Sequence, residues 1–135
     1  MSIEIQQRER EGITILDLKG RLTVGDEVSK FRGQPQKLID SGHRNIVLNM
    51  EQVDYIDSTG LGALVMCATS ARKNGGNVKL VNLSRRNIEL LVMTRLATAF
   101  ETFNDEQDAI SSYYPDRKVK GFDILEFVQK IKHEE

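Results

Sequence analysis

The chain has 135 residues, 39% of them hydrophobic, and a formal net charge of -1, which suits one domain with one core. Its 19 Lys and Arg against 20 Asp and Glu leave no basic surplus of the kind that marks a dedicated nucleic-acid binder. No apolar run approaches the roughly 20 residues that span a bilayer, the N-terminus lacks a signal-peptide pattern, and the single cysteine excludes an intramolecular disulfide, so we expect a reduced, cytoplasmic setting.

Hydrophobic spacing predicts strands and helices that alternate after an opening hairpin. We expect Pro35 to disturb or split the first helix, because proline removes a backbone donor. The expected fold class is α/β, with a mixed β-sheet covered by α-helices, later strands that run parallel and an extra C-terminal helix. The predicted strands lie at residues 3–5, 13–20, 45–49, 78–81 and 100–103, and the predicted helices at 26–40, 58–73, after a cap at Ser84, from Asp105 to Ile110, and at 122–132.

We expect two parts, a domain at residues 1–112 and a C-terminal connector and helix at residues 113–135. Residues 115–121 read as a polar connector, and the helix after them carries its apolar residues on one side. We favour a helix that folds back on its own domain. The alternative is a docking helix for a partner or a second copy of the chain.

An Asp-Ser-Thr-Gly-Leu-Gly run at residues 57–62 lies where a strand is followed by a helix. A helix N-terminus presents unpaired N–H groups and a partial positive charge, so it favours a side-chain oxygen or an anion. Ser58 is accordingly an N-cap, with Asp57 and Thr59 as rival caps, or a hydroxyl that a kinase can phosphorylate, and the two roles are compatible. The two glycines serve helix–strand packing or the close approach of a partner.

The sequence gives little support for a catalytic, nucleotide-binding or metal site. The nucleophile elbow Gly-x-Ser-x-Gly is absent, and Val65 stands where a dinucleotide-binding loop needs its third glycine. His43 and His133 are too few to build an ordinary zinc site. Cys67 is expected to be a half-buried, unreactive thiol. We therefore expect no enzyme, no cofactor and no metal.

Residues 45–50, 53–56 and 57–64 together resemble the STAS family, and residues 18–22 and 75–76 agree more weakly. Members of this family are the small domains of anti-sigma-factor antagonists, and they also occur as tails of sulfate transporters and in stressosome proteins. The resemblance spans roughly residues 3 to 112.

The resemblance implies an antagonist that binds a cognate anti-sigma factor, which is also a serine kinase. Phosphorylation of Ser58 by that kinase would switch the antagonist off, and a phosphatase would restore it. Many antagonists carry an acid in the loop after the second strand, where Thr23 stands here with Asp26 slightly later, so either the acid is displaced or the kinase contact differs. The resemblance assigns partner contact to Thr23, Asp26, Asp57, Ser58, Thr59, Gly60, Leu61 and Gly62.

Two other functions remain open. One is a structural or scaffold STAS module of a larger signalling assembly, similar to a stressosome, with the C-terminal helix as the contact in a homo-oligomer. The other is a ligand-sensing STAS domain that binds a nucleotide or a lipid. Neither nucleic acid nor a membrane is expected as a partner.

Overall fold

Within the described residues, five strands form one sheet and follow one another in it in chain order. The computed structural model describes residues 3–134, apart from the side chains of residues 26–28, 133 and 134. The strands are β1 (Glu4–Arg10), β2 (Ile13–Leu22), β3 (Asn45–Ile56), β4 (Asn77–Val81) and β5 (Thr102–Phe103).

The predicted opening hairpin is confirmed, because β1 and β2 pair antiparallel. Arg10 pairs with Ile13, so Glu11 and Gly12 form a two-residue loop in which both have positive φ, 52° and 83°. Such a loop matches the twist of the two strands it joins. The pairs β2–β3, β3–β4 and β4–β5 are all parallel, which confirms the predicted mixed sheet.

Helices connect the parallel strands, as parallel pairing requires. The first two have the predicted bounds. Among the helices that the structure describes, none combines the length and the apolar content needed to cross a membrane. The helices are α1 (Asp26–Asp40), α2 (Ser58–Lys73), α3 (Arg85–Met93), α4 (Glu106–Ser111) and α5 (Ile124–Glu134).

Helix α1 continues through Pro35, so of the two effects expected of this proline, a disturbed or a split helix, the split is wrong. The ring removes the hydrogen bond that would end on the carbonyl of Phe31. Pro35 is buried, however, as are Phe31, Leu38 and Ile39 on the same helix. Burial of this apolar side holds the helix together across the missing bond.

Strand β3 runs on to Ile56, well past the predicted end at Asn49. Exposed Glu51 and Gln52 interrupt the apolar pattern, which is why the sequence suggested a shorter strand. The extension exists because it pairs with the end of β2, where the register shifts twice on the way. Strand β5 is shorter than predicted, since Phe100 is buried but lies outside it.

The sheet is covered on both faces, and β3 contributes alternate residues to each cover, as its apolar run predicts. The larger core lies between the sheet and α1, α2, α3 and α5, and the smaller one lies under α4. Cys67 belongs to the larger core with 8% of its surface exposed, so it is more deeply buried than predicted. Burial raises the pKa of this thiol to about 12, which keeps it protonated and unreactive.

The C-terminal segment runs from the hairpin of β1 and β2 to the edge of the sheet at β5. At the hairpin, Arg117 forms an ion pair with Glu11 at 2.7 Å. Further along, the N–H of Phe122 donates to the carbonyl of Thr102 at 3.2 Å, and the hydroxyl of Thr102 donates to the carbonyl of Phe122 at 3.1 Å. Helix α5 then packs beside α3, with Ile124 in the larger core. The apolar side of α5 is therefore directed at its own domain.

Replacing Ile124 with Ala should lower the free energy of unfolding by about 2–5 kcal/mol, because a side chain only 3% exposed leaves a cavity. Leu125→Ala is the matched control, and its 47% exposure predicts a change within about 0.5 kcal/mol. Urea unfolding of the two variants measures both effects. Equal changes would contradict the docked position of α5.

Candidate partner-binding site

The candidate site lies where β3 ends and α2 begins. Asp57 is the N-cap of α2, and its Oδ1 accepts a hydrogen bond from the N–H of Gly60 at 2.8 Å. Ser58 is the first helical residue, and its side chain is exposed to solvent. Of the three caps that the sequence left open, the structure selects Asp57, so neither Ser58 nor Thr59 caps the helix. The hydroxyl of Ser58 is therefore not needed to cap the helix.

Asp57 also holds the loop between β2 and α1. Its Oδ2 accepts a hydrogen bond from the N–H of Val24 at 2.9 Å. Its own N–H donates to the carbonyl of Leu22 at 3.2 Å, at the end of β2. One residue thus connects the end of β2, the loop after it and the first turn of α2. These bonds place the loop next to Ser58.

The same hydrogen bonds keep the Asp57 carboxylate ionised. The N–H of Gly60 has the largest effect and that of Val24 a smaller one, and together they hold the pKa of Asp57 below its usual range. Partial burial opposes them by disfavouring the charge. The site therefore carries a fixed negative charge beside Ser58 at neutral pH.

The two glycines of the junction differ in their surroundings. A Cβ built on Gly60 would lie 2.0 Å from the carbonyl oxygen of Leu22, whereas one built on Gly62 would meet nothing within 4 Å. Gly60 is buried and Gly62 is exposed. The sequence left two roles open for these glycines, helix–strand packing and the close approach of a partner. Packing applies to Gly60, whereas Gly62 has the open space that a partner would need.

The structure brings most of the predicted contact residues to one end of α2. Thr59 and Ser58 are exposed, Thr23 is partly exposed in the neighbouring loop, and Leu61 is 5% exposed and belongs to the core. Leu61 and Gly60 support this surface from below. The side chain of Asp26 lies outside the described residues, so its position relative to Ser58 stays a prediction.

Three exposed apolar side chains on the elements that form this surface were not assigned to the site from the sequence. Val24 is 69% exposed in the loop that Asp57 holds, and Met66 is 55% exposed on α2. Tyr55, at the end of β3, is 42% exposed, with the guanidinium of Arg86 5.2 Å from its ring centre. The available signals were a valine inside a short polar loop and a methionine off the apolar stripe of α2.

Within the part of the chain that the structure describes, no group of three or more His, Cys, Asp or Glu side chains is arranged to hold a metal ion. The chemistry of the junction is that of an exposed hydroxyl at a positively polarised helix end, with an ionised carboxylate before it. Such an arrangement suits binding and modification.

Comparisons with known proteins agree with this geometry. A family model described as the STAS domain matches residues 4–109. The anti-sigma-B factor antagonist of Bacillus subtilis (strain 168) is 31% identical over 96 residues, which cover 71% of this chain and 86% of that protein.

Solved structures of the protein SpoIIAA have the same fold. The unphosphorylated form, described as an anti-sigma factor antagonist, aligns with a TM-score of 0.66 at 19% identity and covers 83% of this chain and 99% of its own. The phosphorylated form, described as a Bacillus cell fate determinant, aligns with a TM-score of 0.64 at 20% identity and covers 82% and 99%. Identities this low show the fold alone.

Gly60→Ala should destabilise the domain by about 1–3 kcal/mol, because its new methyl group meets a backbone carbonyl that cannot move without disturbing the end of β2. Gly62→Ala should instead stabilise it by about 0.5–1 kcal/mol, since the site is open and alanine favours a helix. Urea unfolding of the two variants measures the difference. Similar effects at both positions would contradict the close approach at Leu22.

Asp57→Asn should destabilise the domain at pH 7 and lose that effect in acid. The folded-state pKa of Asp57 is depressed, so its contribution is fully present above the unfolded value of about 3.9 and disappears as the pH falls through the lower folded value. The free energies of unfolding of wild type and variant should therefore converge below about pH 4. A difference that stays constant from pH 7 to pH 3 would contradict the ionised cap.

Proposed function

This chain belongs to the STAS domain family, and on that premise we propose that it is an anti-sigma-factor antagonist switched by phosphorylation of Ser58. In the unphosphorylated state it binds a cognate anti-sigma factor that is also a serine kinase. That kinase phosphorylates Ser58 and thereby ends the complex, and a phosphatase reverses the modification. The chain acts in the cytoplasm as a binding module and catalyses no reaction itself.

The observation that supports this proposal best is the exposed hydroxyl of Ser58 at the first position of α2. Since the cap is the carboxylate of Asp57, a phosphate on Ser58 leaves the hydrogen bond to Gly60 in place. The positive end of the helix stabilises an anion in its first turn by about 0.3–1 kcal/mol. The domain should therefore stay folded when it is phosphorylated.

The same phosphate is unfavourable in a complex. It adds about -1.5 to -2 charges at pH 7, and the ionised Asp57 beside it adds to the negative field. A partner surface fitted to a neutral hydroxyl, to Val24 and to the open side of Gly62 has no group placed for this charge. Like charges brought together at an interface cost several kcal/mol. Such a cost is enough to separate the two proteins.

The fold comparison is compatible with this switch. SpoIIAA, which shares the fold, is described in an unphosphorylated and a phosphorylated form. In that protein, the fold accommodates a phosphate. For this chain, phosphorylation rests on the geometry at Ser58 and on the family relationship.

Incubation with the cognate anti-sigma factor and ATP should place one phosphate on Ser58 and dissociate the complex. Ser58→Asp should weaken binding by at least about tenfold, or 1.4 kcal/mol, because it introduces a charge at the interface. Mass spectrometry locates the phosphate, and calorimetry measures the affinity.

Two variants serve as controls for this experiment. Ser58→Ala should accept no phosphate, while Thr59→Ala, which removes the neighbouring exposed hydroxyl, should still accept one. The proposal is wrong if Ser58→Ala is phosphorylated at full yield and Ser58→Asp binds the anti-sigma factor normally.

A further inference from the structure

A groove of about 530 Å³ lies between α1 and α2, below the end of α2 that carries Ser58. Its floor contains the buried side chains of Ile39, Ala63 and Cys67. A hydrogen bond of 3.0 Å from the hydroxyl of Ser70 to Gln36 crosses it from one helix to the other. The lining residues that are exposed to solvent are Arg32, Gly33, Gln36, Met66, Thr69 and Lys73.

The shape of this groove suits an elongated occupant. Its rim is exposed on both helices, and a Cβ built on Gly33 would meet nothing within 4 Å. From Ala63 to Lys73 the α2 wall is about 15 Å long at 1.5 Å per residue, which matches about ten residues of helix. Pockets for small ligands enclose most of the ligand surface. An open groove walled by two helices is instead the kind of site that receives an amphipathic helix.

The groove is continuous with the surface around Ser58. At 100° per residue, the exposed positions that share one side of α2 lie within about 80° of one another around the helix. This stripe begins at the proposed phosphoacceptor and passes into the groove about 12 Å further along. Its members are Ser58, Gly62, Met66, Thr69 and Lys73.

Among the described residues that line the groove, the charged ones are Arg32 and Lys73, and both are cations. The carboxylate of Asp40 lies outside this lining and accepts a hydrogen bond from the side-chain amide of Gln36 at 2.9 Å. Helix α2 contains no Asp or Glu between Ser58 and Lys73. Along α2, the exposed Met66 lies between Ser58 and Lys73. An occupant that complements the groove presents apolar side chains to its floor and acidic side chains to its rim.

We propose that the groove between α1 and α2 receives an acidic, amphipathic helical segment of the anti-sigma factor that binds over Ser58. This inference rests on the proposed function and extends it from one end of α2 to the whole exposed stripe. The partner then contacts two separate features, the neutral hydroxyl of Ser58 at the N-terminus of α2 and the basic, apolar groove beside Met66.

The direct test measures the affinity of the cognate anti-sigma factor for groove variants. Met66→Ala and Lys73→Glu should each weaken binding about tenfold, and the effect of Lys73→Glu should shrink as salt is raised. Lys130→Glu, an exposed lysine on α5, is the matched control and should bind like wild type. Circular dichroism verifies that every variant is folded.

The outcomes separate this inference from the proposed function. If Ser58→Asp weakens binding while Met66→Ala and Lys73→Glu bind like wild type, the groove proposal is wrong and the switch at Ser58 stands. If the anti-sigma factor does not bind the wild-type chain at all, the proposed function fails. A peptide probe then tests separately whether the groove accepts an acidic amphipathic helix.

That probe is a synthetic amphipathic peptide with a leucine side and a glutamate side, titrated into the isotope-labelled chain. Backbone amide signals of residues 32–39 and 63–73 should shift, and Lys73→Glu should remove most of the effect. A matched peptide with lysine in place of glutamate should cause no such shifts. Shifts that are absent with the acidic peptide, or equal with both peptides, would overturn the proposal.

Discussion

The geometry of the candidate site depends on the close approach of β2 to the first turn of α2. The carbonyl of Leu22 accepts the N–H of Asp57 at 3.2 Å and lies where a side chain at position 60 would be. Only glycine leaves room for that carbonyl. The approach also brings the loop after β2 within hydrogen-bond distance of Asp57, through the N–H of Val24. The loop that carries the exposed Val24 is thereby bonded to the residue before Ser58, although the two are far apart in the chain.

In this arrangement the residues that stabilise the junction are different from the residue proposed to be phosphorylated. Asp57 caps α2 and stays ionised, and Gly60 allows the packing, so neither the fold nor the cap depends on Ser58. A residue in such a position can change its charge without unfolding the domain, which is what a phosphorylation switch requires. The exposed side of α2 then extends the surface from Ser58 past Met66 to the basic end of the groove.

Local patterns predicted much of this molecule. The bounds of α1 and α2, the opening hairpin and the parallel order of later strands follow from hydrophobic period and from turn residues, which act within a few positions. The junction at residues 57–62 was recognised for the same reason. Other expectations failed, among them a split at Pro35, the end of β3 at Asn49 and, of the three candidate caps, the one at Ser58. The end of β3 was set by pairing with the distant β2, and the continuation of α1 by burial of its apolar side, whereas the cap was a local choice between neighbouring residues.

By itself, the sequence determined the order of elements, the family and the position of Ser58 at a helix start, because each depends on residues close together in the chain. Asp57 was one of the caps that the sequence offered, and the structure selected it through a bond to a residue three positions away. The tertiary structure alone decided that Gly60 is buried while Gly62 is open, and that the N–H of Val24 bonds to Asp57, the residue before Ser58. These two facts depend on the pairing of β2 with β3, which joins residues more than thirty positions apart. The spacing of hydrophobic residues reflects neighbours within a few positions and does not show which distant segments pair.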